Sequence, residues 1–248
     1  MLLESLGLPA EVRNAGVEAQ RVNRALCDWD GEVEQWSPDV VILNYGQYEC
    51  MPGLLPHWLE RHATGWHHHS GPVRDRYRIK VLTPIWRKLV RYQMMADQYV
   101  HSGPFRASPQ RTVTELARFV EQLKTVSSPL VIVMDTWPIG PRWERWFPGM
   151  QRRVVVMRKT IERWIESAED PEIRLFPLSE IVSRHDPEES MPDGVHFSAG
   201  LHREIAEELA RAILPWAATQ PHLRRPGMKL DFVDEVQRGR HASADAAY

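Results

Sequence analysis

The sequence predicts an α/β protein: a three-layer α/β/α sandwich on a mostly parallel sheet. Two observations carry that expectation. Val40-Val41-Ile42-Leu43 and Leu130-Val131-Ile132-Val133-Met134 are short, uninterrupted apolar runs, the pattern of strands buried on both faces. Around them lie segments with apolar residues at helical spacing, and strand–helix alternation places helices on both faces of such a sheet. The length of 248 residues suits one domain with extensions.

In chain order, residues 10–13 are a weak strand candidate. Val22, Ala25, Leu26, Trp29, Val33 and Trp36 then fall at helical spacing. The first apolar run comes next, at 40–43. Residues 51–107 form an insertion: a Pro/Gly/His-rich loop, then a basic helical segment around 73–100. Ser108-Pro109 reads as N-cap and first residue of a helix whose core face is Leu116, Phe119, Val120 and Leu123. After the run at 130–134, residues 150–166 form another helix, and 173–176 are, like 10–13, a weak strand candidate. A last helix spans 199–214, with Ser198 as N-cap, Leu201, Ile205, Leu209 and Ile213 inward, and Pro215 as its end. The expected division is one domain over 1–217, carrying the insertion, and a loosely ordered polar tail over 218–248.

Composition narrows the classes. Hydrophobic residues make up 43% and charged residues 26%, ordinary for a globular protein. A net charge of −2 gives no global bias toward nucleic acid or a membrane surface. No apolar run approaches the roughly 20 residues that span a bilayer. The segment before Pro9 has no basic stretch of the signal-peptide kind. Two cysteines, Cys27 and Cys50, make no disulfide framework, so a reduced, cytoplasmic setting is expected.

Three segments carry chemistry. Pro192-Asp193-Gly194-Val195-His196-Phe197-Ser198 stands just before the last helix. An Asp three residues from a His on such a loop can fix the imidazole tautomer while the ring takes a proton from a hydroxyl. The alternative is a helix-capping loop with a surface Asp and His. Asp39 to Leu43 leads into Asn44-Tyr45-Gly46-Gln47-Tyr48-Glu49, a polar loop at a strand's carboxyl end, where ligands sit in open α/β sheets. Val12-Arg13-Asn14-Ala15-Gly16-Val17 places a Gly between the weak strand candidate and a helix, a position that is also an ordinary turn.

In order and spacing these segments resemble three conserved blocks of the SGNH/GDSL family of serine esterases and acyl-hydrolases. The family's last block is Asp-x-x-His followed by Phe and Ser or Thr; its third is a strand ending in Gly-x-Asn-Asp; its second ends in Asn-x-Gly. The resemblance implies a flavodoxin-like sheet, His196 as general base and Asp193 as its orienting partner. It also implies an oxyanion site made by the Gly16 N–H and a group near 46–48. The third block departs from the pattern, with Tyr48 in the Asn position and Glu49 in the Asp position. Tyr48, Gln47 and Asn44, which lies before Gly46, are each candidate donors. The family's first block, Gly-Asp-Ser, is not found. Ser5 in Glu4-Ser5-Leu6 is too close to residue 10, because a parallel crossover takes a dozen or more residues. The expectation is that the first strand and its serine lie upstream of Met1; the competing reading is a short form without that nucleophile.

The remaining features are less specific. His67-His68-His69, with His57 and His62, share no common face and complete no familiar ligand set, so no metal is expected. No cofactor is implied. Arg74, Arg76, Arg78, Lys80, Arg87, Lys88 and Arg91 make either a solvated basic face or a surface for an anionic substrate, acyl carrier or phosphate-bearing partner. Trp137, Trp143, Trp146 and Phe147 either line a pocket or cover the core. The expected function is ester hydrolysis, on an O-acyl group of a sugar or small metabolite. Acyl transfer and a degenerate, non-catalytic binding role are the alternatives. The partner is a small-molecule or carbohydrate ester, with neither nucleic acid nor membrane.

Overall fold

A computed structural model describes residues 10–17, 20–27, 29, 33–51 and 107–223, with isolated positions between 76 and 92. Its elements are α1 (Val22–Cys27), β1 (Val40–Leu43), α2 (Pro109–Val126), β2 (Leu130–Met134), α3 (Pro141–Trp146), α4 (Met150–Ala168), β3 (Ile173–Phe176), α5 (Leu178–Ser183), α6 (Pro187–Ser190) and α7 (Ala199–Thr219). The three strands pair in the order β1-β2-β3, all parallel. Val41 sits opposite Val131 and Val133 opposite Leu175.

The predicted α/β class is what the chain adopts, and β2 shows why. All five of its residues are buried. Val131 and Val133 join a core with residues of α1, α2 and α4. Leu130, Ile132 and Met134 join a second core with residues of α5 and α7. Successive side chains of a strand point to opposite faces, so helices cover both sides of the sheet. Fully buried Leu116, Leu123, Met157 and Ile161 fill the first layer, each contributing about 1.5–3 kcal/mol of burial.

Helix α2 matches the sequence pattern closely. The Ser108 side chain accepts the Arg111 N–H, and Pro109 opens the helix where its missing N–H costs nothing. Other expectations need correction. Residues 10–13 are not a strand: they have no ladder partner among the described residues, and Val12 is exposed. The helix expected through Trp36 is α1 with helical structure at Trp29 and a π-type turn at 33–34, and Ser37 then adopts a positive φ of 41°. Helix α7 does not end at Pro215 but continues to Thr219. The lost hydrogen bond is outweighed there by Trp216 and Ala217, which lie buried beyond it in the second core. The apolar run of β1 predicts cover on both faces, yet Ile42 is 43% exposed. Among the described residues β1 pairs on one edge only.

Of the insertion, Ala107 is buried and its N–H reaches the Glu49 carbonyl at 3.4 Å, so the segment returns beside the point where it leaves. The five histidines from His57 to His69 and the tail from 224 onward lie outside the described residues. No helix among the described residues is long and apolar enough to cross a membrane.

Candidate active site

Three loops converge at the carboxyl end of the sheet: 44–50 after β1, 135–149 after β2, and 191–198 before α7. Gln47 Nε2 donates to the Trp137 carbonyl at 3.2 Å, joining the first to the second. The Gly140 N–H donates to the Gly194 carbonyl at 3.1 Å, joining the second to the third. Trp137 packs on Phe197 with ring centroids 4.9 Å apart.

The third loop is built around its glycine. Gly194 has φ of 92°, and a Cβ there would lie 2.6 Å from Trp143 Cδ1. Only glycine meets both conditions without strain. Asp193 organises the residues on the far side of that turn. Its Oδ1 accepts the N–H groups of Val195 (3.0 Å) and His196 (2.8 Å), and its Oδ2 lies 2.5 Å from His196 Nδ1. One carboxylate thus fixes both the turn and the ring.

The electrostatics agree with the geometry. Desolvation is the largest single influence on the Asp193 carboxyl and pushes upward. The His196 side-chain hydrogen bond, the two backbone N–H groups and the imidazole charge together outweigh it and hold the carboxyl at about 2. An ionised carboxylate only accepts, so Nδ1 carries the proton and Nε2 presents its lone pair. The His196 side chain is 77% exposed and that of Asp193 50%, which leaves Nε2 open to solvent and substrate. Among the described residues no hydroxyl or thiol hydrogen-bonds Nε2.

The five candidate oxyanion residues are not brought together in the same way. Gly16 is exposed, and its N–H donates to Asn14 Oδ1 at 3.0 Å. Gly46 is buried with φ of 109°, and a Cβ there would meet Thr136 Cγ2 at 2.8 Å. Its N–H donates to Glu49 Oε2 at 3.0 Å. Both glycine N–H groups are therefore committed within their own loops. Gln47 is buried and gives one amide proton to Trp137 O; that carbonyl only accepts, so Nε2 faces it and Oε1 is left without a partner. Tyr48 is half-buried in the same turn, and Asn44 is exposed just beyond β1.

Two carboxylates matter more than the sequence suggested. Glu49 is buried; besides Gly46 it accepts the Val22 N–H at 3.4 Å, capping the start of α1. Burial pushes its carboxyl above the usual range, against its backbone hydrogen bonds and nearby Arg21. Asp135, buried directly after β2, accepts the Ser179 N–H at 2.7 Å and the Ser179 hydroxyl at 2.5 Å, tying α5 to the sheet. Burial raises its carboxyl as well. The available signal was an acid placed at the end of an apolar strand, which must find donors to be buried. The aromatic loop covers core: Trp137 and Phe147 are buried, and Trp143 lies under Gly194. Among the described residues no group of acids, histidines and cysteines has the arrangement of a metal site.

No family model matches the chain, and no curated protein matches it significantly. Solved structures match in fold. An acetyl-xylooligosaccharide esterase from Geobacillus stearothermophilus, in a variant form, aligns with a TM-score of 0.50 at 17% identity, over 86% of this chain and 76% of that one. A lipase/acylhydrolase from Enterococcus faecalis aligns at 17% identity over 85% of this chain and 80% of that one, with a TM-score of 0.48. At such identity the first match speaks to architecture alone. The architecture shared with it is an α/β one, a parallel sheet with helices on both faces.

Proposed function

We propose that the chain is an ester hydrolase of the SGNH type, with His196 as general base and Asp193 as its orienting partner. One observation carries this reading: the Asp193 carboxylate holds both the His196 ring and its backbone, leaving Nε2 exposed at the end of the sheet where such folds place ligands. In the reaction, Nε2 takes the proton of a hydroxyl nucleophile as its oxygen bonds to the ester carbonyl carbon. The tetrahedral intermediate collapses, and the leaving alcohol takes that proton from the imidazolium. Water then repeats the sequence to release the acid. The substrate class is an O-acyl sugar or a small acylated metabolite, in line with the sugar ester named for the structural relative.

The test is hydrolysis of p-nitrophenyl acetate and of acetylated xylo-oligosaccharides, by this chain and, where in-frame coding sequence precedes Met1, by the longer chain. Turnover that falls about 10²–10⁴-fold in His196→Ala supports the reading. Turnover indifferent to His196 contradicts it. Products formed with a sugar acceptor in place of water separate transfer from hydrolysis.

A second reading rests on the glycines. With the N–H groups of Gly16 and Gly46 both engaged, a non-catalytic SGNH-like binding protein needs no rearrangement of these loops. It predicts binding of the acylated sugar with no release of acid.

A further inference from the structure

Gln47 and Trp137 touch through the hydrogen bond from Gln47 Nε2 to the Trp137 carbonyl. Each also carries a buried polar atom of the opposite kind. Among the described residues neither Gln47 Oε1, an acceptor, nor Trp137 Nε1, a donor, has a hydrogen-bond partner. The two residues are only 8% and 7% exposed, so water does not make good the loss at the surface. A fold that leaves such atoms unanswered is less stable for it, and breaches of this kind gather where a protein binds something. The position agrees. Gln47 follows β1 and Trp137 follows β2, at the carboxyl ends of two paired parallel strands, where open α/β sheets take ligands. The Trp137 ring also packs on Phe197, the residue after His196.

We propose that Gln47 and Trp137 form the subsite for a free hydroxyl of the substrate, next to the acyl group on which His196 acts. A hydroxyl donates to Oε1 and accepts from the Nε1 proton, so one group answers both atoms. A carboxylate or phosphate oxygen has no proton for Oε1. An ammonium has no lone pair for the indole N–H. An alkyl chain leaves both atoms unsatisfied. The subsite rests on the hydrolase reading for its substrate and narrows that substrate to the ester of a polyol, of which a sugar is the natural case. Both atoms are covered, so the hydroxyl enters as the two loops that Gln47 joins move apart. Gln47 thereby sets specificity and is not an oxyanion donor.

The experiment titrates xylotriose into the whole chain labelled with nitrogen-15 and follows the indole N–H signals. Trp137→Phe identifies the Trp137 signal by its loss. Phe keeps a ring against Phe197 and the backbone carbonyl that Gln47 holds, and removes only the donor. The Trp137 signal is expected to move downfield and saturate, and calorimetry to show xylotriose bound about tenfold more weakly by Trp137→Phe. In turnover, the ratio of kcat/KM for acetylated xylotriose to that for p-nitrophenyl acetate, which has no hydroxyl, is expected to fall by a similar factor. Melting curves check that the variant keeps its fold. A saturating indole shift without turnover of either ester would uphold the subsite and remove the hydrolase reading. Turnover that depends on His196, with an indole signal indifferent to xylotriose and an unchanged ratio, would keep the hydrolase reading and overturn the subsite, giving the two atoms to a resident water. Equal losses on both esters in Trp137→Phe would also overturn it, since support of Phe197 would then be the role of the ring.

Discussion

At the residue scale the Asp193–His196 pair was legible because it is local. The two groups stand three positions apart, and a left-handed glycine between them sets the turn. Contact as well as identity could therefore be read from the chain. The oxyanion candidates were not legible in this way, because which acceptor an N–H finds depends on neighbours it meets after folding. Glu49 takes the Gly46 N–H, and Asn14 takes that of Gly16. The pair makes a direct prediction. The Asp193 carboxyl is held at about 2, so a carbon-13 titration should show its midpoint there and not near 4. By linkage, a carboxylate depressed in the folded state stabilises the fold above its unfolded value near 4, and that contribution is lost as pH falls toward 2. In Asp193→Asn the Nδ1 anchor is lost, and kcat is expected to fall by up to about 10⁴-fold, with a lower melting temperature at neutral pH as the carboxylate's contribution is lost.

Elements were legible where periodicity and end signals agreed. β2, β3 and α2 are where the apolar pattern placed them, and Ser108 caps as its position implied. Ser108→Ala is expected to cost about 0.5–2 kcal/mol in urea unfolding, and Leu123→Ala, emptying a fully buried site, about 2–5 kcal/mol. Elements were misread where tertiary packing overrode a local rule. Pro215 normally stops a helix, but Trp216 and Ala217 beyond it have apolar partners to reach. A strand at 10–13 needs a ladder, and no local pattern says whether one is present. Glu49 binds elements more distant still, since its carboxylate joins the turn after β1 to the first N–H of α1. Gly46→Ala would push a methyl group to 2.8 Å from Thr136 and strain a positive φ, so it is expected to destabilise the fold more than any exposed Gly→Ala change.

For the whole molecule, the three-layer arrangement arises from one strand whose alternate side chains enter two separate cores. The same layering buries Glu49 and Asp135, and their raised carboxyls give the fold a pH signature. A carboxyl raised in the folded state keeps a proton that the unfolded chain has released. Stability from this source is full below the ordinary carboxylate value near 4 and declines as pH rises toward the folded value. The melting temperature is thus expected to rise as pH falls toward the ordinary carboxylate value, and Glu49→Gln to flatten that rise. An unchanged slope would remove Glu49 as its source.

The central claim is that His196 activates a hydroxyl for attack on an ester. Its most direct test is labelling by a fluorophosphonate probe, which reacts with a serine only when a base has activated it. The chain, the longer chain where in-frame coding sequence precedes Met1, and His196→Ala in each would be treated, and the labelled peptide located by mass spectrometry. One labelled serine that disappears with His196 is the expected result. Labelling that survives His196→Ala, or no labelling in any form, would contradict the claim and leave the binding role as the better reading of this site.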